Sequence, residues 1–180
     1  MDKIKEKFIS KASPMSEQTK KLVKEHGNVV LGQYTIEQVY SGMKGMIGMI
    51  TETSKLDAEE GIRFRGYSIP ELREKLPVSK EGPEPLPEGI FYLLLTGEIP
   101  TLDEVINVNN EWMKRANVPK HVFDMLDMLP AKTHPMTQFS MAIMALQTES
   151  VFARRYREGI NKKEYWEPMY EDIMNLIARL

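Results

Sequence analysis

Two Ser/Thr-x-x-Glu boxes, each opening a stretch with apolar residues every three or four positions, constrain this chain more than any other feature. The first is Ser68-Ile69-Pro70-Glu71, with Ile69, Leu72 and Leu76 on one face and Pro77 as the stop. The second is Thr101-Leu102-Asp103-Glu104, followed by Val105, Ile106, Trp112 and Met113. In such a box the hydroxyl and the carboxylate each satisfy a free backbone N–H, and losing the cap costs about 0.5–2 kcal/mol. Between them, Pro87 opens a short, nearly all-apolar helix that Gly97 ends, and a helix apolar on all sides is a buried one. Beyond them, residues 119–129 form another short helix closed by Pro130. Thr133 caps a long helix bearing Met136, Phe139, Ile143, Leu146 and Phe152. A last helix places Trp166, Met169, Ile173, Leu176, Ile177 and Leu180 at helical intervals. The expected class is all-α, with a few short β-strands confined to residues before Ser68.

Those earlier residues read differently. Residues 1–25 form a lysine-rich, weakly amphipathic arm, marginally helical and broken at Pro14. Residues 26–67 form a turn- and strand-rich entry segment. It starts at the turn His26-Gly27-Asn28, continues with the β-prone Val29-Val30-Leu31, and is punctuated by Gly42, Gly45 and Gly48. Residues 68–180 are then the helical part. Its apolar stripe runs up to Leu180 with no polar or glycine cap beyond, so the segment reads as a partial domain cut from a longer protein. Residues 78–87 are a proline- and glycine-bearing loop.

Composition removes several functions. The 24 basic and 26 acidic side chains give a net charge of −2, which argues against a nucleic-acid surface. There is no cysteine, so disulfides, thiolate metal sites and thiol nucleophiles are excluded. The longest aliphatic or aromatic run, Ile90 to Leu95, is far too short to cross a bilayer. The first twelve residues lack the apolar core of a secretory signal and the arginines of a transit peptide, which points to a cytoplasmic protein. His26, His121 and His134 have no partner at metal-ligand spacing and read as surface or capping residues, so no metal site is expected. No serine sits in a nucleophile elbow.

Three motifs stay open on chemistry alone. Gly42-Met43-Lys44-Gly45-Met46-Ile47-Gly48 places a cation among glycines that let backbone N–H groups approach an anion, yet turns and core packing explain it too. Met43, Met46 and Met49 read as core gap-fillers. Arg63-Phe64-Arg65-Gly66-Tyr67 suits an anion, a base or a strand with one buried face. Arg154, Arg155 and Arg157, with Lys162 and Lys163 after them, suit a helix C-terminus or a phosphorylated ligand. The acidic group Asp57, Glu59 and Glu60 reads as a solvated loop.

Four segments together resemble citrate synthase of the si-type, the branch shared by mitochondria and some bacteria. The first is His26-Gly27-Asn28 with Gly32-Gln33 and residues 40–45. The second, EGIRFRGYSIPE from Glu60 to Glu71, is the most specific; the third is EPLPEGIFYLLLTGEIPT from Glu84 to Thr101. The fourth runs from His134-Pro135-Met136 through Gln147, Glu149-Ser150 and Phe152-Ala153-Arg154 to Tyr165-Trp166-Glu167 and Tyr170-Glu171-Asp172. The resemblance covers about residue 26 onward.

It implies a mostly helical, two-domain homodimer that joins the acetyl group of acetyl-CoA to oxaloacetate and hydrolyses the citryl thioester. No cofactor is implied besides acetyl-CoA as substrate, and neither nucleic acid nor membrane is a partner. In that family an aspartate removes the methyl proton, one histidine stabilises the enol and another protonates the oxaloacetate carbonyl. Arginines hold the carboxylates. The Gly-His and Asp-Pro-Arg pattern of those residues is absent here, so no catalytic residue is assigned and the catalytic set is expected beyond Leu180. Lys44 and Lys162 stand where relatives often carry arginines on the CoA phosphates; lysine keeps the charge and loses the bidentate fork. A methylcitrate synthase using propionyl-CoA and a non-catalytic helical dimerisation module are the alternatives.

Overall fold

The computed structural model describes residues 3–79 and 82–180, and the helical signals dominate it. The described residues separate into two units, up to Ile106 and from Asn107 onward.

In the first unit, helix α1 (Lys3–His26) precedes a short helix α2 (Ile36–Tyr40). A three-stranded antiparallel sheet follows, in the order β1 (Ser54–Asp57), β2 (Gly61–Phe64), β3 (Tyr67–Ser68). Lys55 pairs with Arg63 and Phe64 with Tyr67. The loop joining β1 and β2 is fixed by Asp57, whose Oδ1 accepts from Glu59 N at 2.9 Å and Glu60 N at 3.1 Å. Those two backbone donors hold the Asp57 carboxyl below its usual range. The acidic group is therefore turn chemistry.

Helix α3 (Ile69–Lys75) starts at the expected box: the Ser68 hydroxyl accepts from Glu71 N, and Glu71 Oε2 accepts from Ser68 N at 2.7 Å. Helix α4 (Pro87–Thr96) has no exposed residue from Glu88 to Thr96, as its all-apolar pattern predicts. Gly97 ends it in the left-handed region at φ 79°. Leu72, Leu76 and Leu93 form the core here, with Phe64, Tyr67, Ile90 and Ile99 packed around them. Gly89 of α4 faces the Leu76 side chain, where an added Cβ would lie 3.4 Å from Cδ2. Arg65, at φ 50° between β2 and β3, donates to the Leu94 carbonyl at 2.7 Å through Nη2 and ties the sheet to α4.

Helix α5 (Leu102–Arg115) runs across the division between the units. Its start is the second box, with Glu104 Oε2 accepting from Thr101 N at 2.8 Å. Glu104 Oε1 also accepts from the buried Tyr92 hydroxyl at 2.5 Å. Burial opposes ionisation of Glu104, but the bonds from Tyr92 and Thr101 outweigh it and hold its carboxyl below the usual range. Burial, reinforced by the bond to Glu104, pushes the Tyr92 hydroxyl well above its ordinary value.

In the second unit, α6 (Lys120–Asp127) and α7 (Pro135–Ala145) pack together. A 3-10 turn (Leu146–Glu149), α8 (Val151–Arg157), a second 3-10 turn (Lys162–Glu164) and α9 (Trp166–Arg179) complete it. Val108, Val122, Leu146, Tyr170 and Met174 are its buried hydrophobic side chains, with Pro168 also buried. Arg115 bridges Glu111 and Glu171, the latter at 3.2 Å.

The structure corrects four expectations. Helix α1 continues through Pro14. Proline removes one donor, and the carbonyl it leaves free belongs to Ser10, an exposed residue that water can reach. Val29 to Leu31 form no strand, because no described strand offers them a ladder, and Val30 stays 79% exposed. The long helix from residue 133 is divided at Leu146–Glu149, and its cap is His134 rather than Thr133. Met43 and Met49 are exposed and only Met46 is partly buried, so the methionines fill no core within this chain. After Ser68 the one described β-feature is the isolated bridge between Val78 and Pro85, within a loop whose residues 80–81 lie outside the described ones.

Candidate functional site

The glycine segment folds as a small closed loop between residues 34 and 47. Thr35 caps α2 with a full capping box: its side chain accepts from Gln38 N, while Gln38 Oε1 accepts from Thr35 N at 3.0 Å. Ser41 N donates to Glu37 O at 2.8 Å and Met43 N to Gln38 O at 2.9 Å, which ends the helix and starts a tight turn. Gly42, Met43 and Gly45 then take positive φ values of 73°, 61° and 72°. Two of these are glycine, where that conformation carries no Cβ clash. Met46 N bonds back to Met43 O at 3.1 Å, and the Tyr34 hydroxyl donates to Ile47 O at 3.0 Å, closing the loop.

Lys44 sits at the tip of this turn, exposed, and its ammonium makes no hydrogen bond or ion pair among the described residues. Its backbone carbonyl accepts from Gln38 Nε2 at 3.3 Å. The result is a free cation on a loop held by five internal hydrogen bonds or more, an arrangement suited to an anion.

Lys162 belongs to the second unit and opens the 3-10 turn after α8. Asn161 caps that turn, its Oδ1 accepting from Lys163 N at 3.0 Å. The Tyr165 ring meets Phe152 edge-on at 5.2 Å and lies 6.0 Å from Tyr156, so three aromatic side chains pin the turn against α8. Lys162 is exposed with no ion-pair partner among the described residues, whereas Arg155 is paired with Glu158 at 3.1 Å. Each lysine is thus a solvent-facing charge on a locally braced turn. The two lie in different units.

Two of the three histidines make structural contacts. His26 ends α1 and is exposed. His121 Nε2 lies 3.2 Å from Ala145 O, linking α6 to the end of α7. His134 Nδ1 accepts from Met136 N at 3.2 Å as the cap of α7. Among the described residues no three His, Asp or Glu side chains gather as a metal site. No helix among them is long and apolar enough to cross a membrane.

Two cavities lie elsewhere. One of about 160 Å³ is lined by Ile143, Leu146, Glu149, Asp172, Leu176 and Arg179 among others. The other, about 180 Å³, is apolar and lined by Phe64, Leu72, Leu76 and Ile90 among others. Neither contains Lys44 or Lys162. Sequence reasoning passed over Gln38, although Thr35-Ile36-Glu37-Gln38 has the Ser/Thr-x-x-Gln spacing that would have found it.

Comparison with known proteins is informative over nearly the whole chain. Residues 42–180 match the family model described as citrate synthase, C-terminal domain. The chain is 57% identical over 161 residues to "Citrate synthase, mitochondrial" of Xiphias gladius, covering 89% of this chain and 34% of that protein. It is 56% identical over 161 residues to the protein of the same name from Kajikia audax, with the same coverage. To "2-methylcitrate synthase, mitochondrial" of Yarrowia lipolytica it is 51% identical over 179 residues, 99% of this chain and 38% of that protein. The chain therefore spans a little over a third of the length of these curated relatives.

Proposed function

Because the chain belongs to the citrate synthase family, we propose that the complete protein condenses acetyl-CoA with oxaloacetate to give citrate and CoA. The observation that carries this reading is the identity of 57% and 56%, each over 161 residues, to two proteins named citrate synthase. Within the chain, Lys44 and Lys162 take the role of cations for the CoA phosphates. Support comes from their exposure, their freedom from carboxylate partners, and the braced turns that carry them. A lysine binds phosphate as a compact point charge without the planar fork of arginine. Each contribution is therefore modest and screened by salt.

The division of labour follows from the chemistry. A thioester methyl loses its proton only to a positioned base with donors at the developing enolate oxygen. None of this chain's three histidines is placed for that, since each is a cap, an inter-helix link or a surface residue. We assign this chain the scaffold and the phosphate contacts, in a homodimeric complete protein.

A second reading rests on the 51% identity to a protein named 2-methylcitrate synthase. Offering the complete protein equal acetyl-CoA and propionyl-CoA with oxaloacetate, and weighing the products by mass spectrometry, separates the two. Citrate in excess supports the first reading; methylcitrate in excess establishes the second. The relatives' names place those proteins in mitochondria. Imaging of the tagged complete protein against a mitochondrial marker tells that compartment from the cytoplasm expected above.

A further inference from the structure

We infer that Gln38 is the positioning residue for Lys44: one side chain closes the cap of α2 and, from its other end, holds the backbone of the cation. This rests on the reading of Lys44 as a phosphate contact. From residue 31 to residue 45, Gln38 is the one position that is not exposed. Its amide is used at both ends. Oε1 accepts from Thr35 N at 3.0 Å, and Nε2 donates to Lys44 O at 3.3 Å. Its own backbone carbonyl accepts from Met43 N at 2.9 Å, the residue before the lysine. Gln38 thereby holds the turn by its carbonyl before Lys44 and by its side chain at Lys44.

The need for such a hold is physical. Gly42 and Gly45 restrict the backbone least, and Met43 between them sits at φ 61°, a conformation that L side chains rarely adopt, so the turn needs a hold. No other described hydrogen bond reaches the Lys44 backbone. A lysine on an unanchored glycine turn loses more entropy on binding an anion than one already held. Pre-organisation through Gln38 thus lowers the cost of engaging the phosphate without touching it.

The test is a double-mutant cycle on the complete protein, with acetyl-CoA varied at saturating oxaloacetate. Lys44→Ala is expected to raise KM for acetyl-CoA about threefold to tenfold. Gln38→Met, of similar size without either hydrogen bond, is expected to raise it about twofold to fivefold with kcat and the KM for oxaloacetate held. In the Lys44→Ala background, Gln38→Met is expected to add nothing. Thr35→Ala breaks the cap but keeps the bond to Lys44, and is expected to change KM less than Gln38→Met does. An unchanged KM in Lys44→Ala overturns the phosphate reading and the inference with it. A raised KM in Lys44→Ala with no effect of Gln38→Met, or with a full further effect in the double variant, leaves Lys44 in place and overturns the role given to Gln38. Circular dichroism melts of all four variants identify any that have lost the fold. For such a variant, Gln38→Glu replaces Gln38→Met, keeping the acceptor to Thr35 and removing the donor to Lys44.

Discussion

The Ser150 hydroxyl lies 2.6 Å from Asp172 Oδ2, joining the cap of α8 to the body of α9. Asp172 also accepts from Val151 N at 2.7 Å and Phe152 N at 3.1 Å, while Ser150 Oγ accepts from Ala153 N at 3.0 Å. Three first-turn donors of α8 are therefore satisfied by two side chains twenty-two positions apart. This is why the long apolar run breaks at residue 150: the cap offers the chain more than helix continuation does.

Replacing Asp172 by Ala should destabilise the chain by about 1–2 kcal/mol, the loss of a cap with charge-assisted bonds. That is a drop in Tm of about 2–8 °C for a chain of this size. Asp172→Asn, which keeps an acceptor, should cost less. Thermal unfolding followed by far-ultraviolet circular dichroism checks the order wild type, Asn, Ala.

Stability should also fall in acid through a defined set of carboxylates. Hydrogen bonds from Lys11 and Lys7 hold Glu98 below its usual range, and Lys114, then Arg115, do the same for Glu111. Glu104 is lowered by Tyr92 and Thr101 against the effect of burial. A carboxylate whose folded pKa is depressed stabilises the fold above its unfolded value and loses that contribution as pH falls through the folded one. Melting temperature should be flat from about pH 5 to 9 and fall below about pH 4.5. Tyr92 and Lys7 are raised, so their contributions are complete below about pH 10 and fade above it. In Glu98→Gln the acid fall should be shallower. An acid limb identical to the wild type would remove Glu98 from the set.

Lys162→Ala in the complete protein should raise KM for acetyl-CoA about twofold to tenfold and leave that for oxaloacetate unchanged. The wild-type KM should rise with added salt, and the variant's should rise less, because a screened charge has been removed. Steady-state kinetics at two ionic strengths checks both statements.

Much of the helical architecture is legible in the sequence, for a local reason. Both Ser/Thr-x-x-Glu boxes, the buried helix around Leu93 and the glycine stop at residue 97 depend on contacts within a few residues. The helices misread were decided by distant partners. Asp172 breaks the run at Ser150 from across a turn, and α1 survives Pro14 while its start is held by buried Ile4 and by Lys7 and Lys11 on Glu98. Spacing around Val29 to Leu31 says nothing about whether a neighbouring strand exists. At the candidate site, Lys44 is legible as a cation among glycines, and the Thr-x-x-Gln spacing marks Gln38 as a capping residue, but not its bond to the Lys44 carbonyl. Gln38 acts through a six-residue return that no periodicity reports.

The exposed apolar side chains carry a further prediction. Val30, Ile36, Tyr40, Met49 and Ile50 face solvent in the first unit, as do Met136, Met144 and Met169 in the second. Apolar area in water is unfavourable by about 25 cal/mol per Å², and large exposed patches drive association. The isolated 180-residue chain should therefore elute as oligomers or aggregates in size-exclusion chromatography with light scattering. A monodisperse monomer that melts cooperatively would contradict this.

We propose above that the complete protein makes citrate from acetyl-CoA and oxaloacetate, with this chain as scaffold and phosphate contact. The most direct test is CoA release by the purified complete protein, followed with a thiol reagent, with and without oxaloacetate. Release from acetyl-CoA should require oxaloacetate, and the isolated 180-residue chain should give no such release. Release that ignores oxaloacetate, no release by the complete protein, or oxaloacetate-dependent turnover by the isolated chain would contradict it.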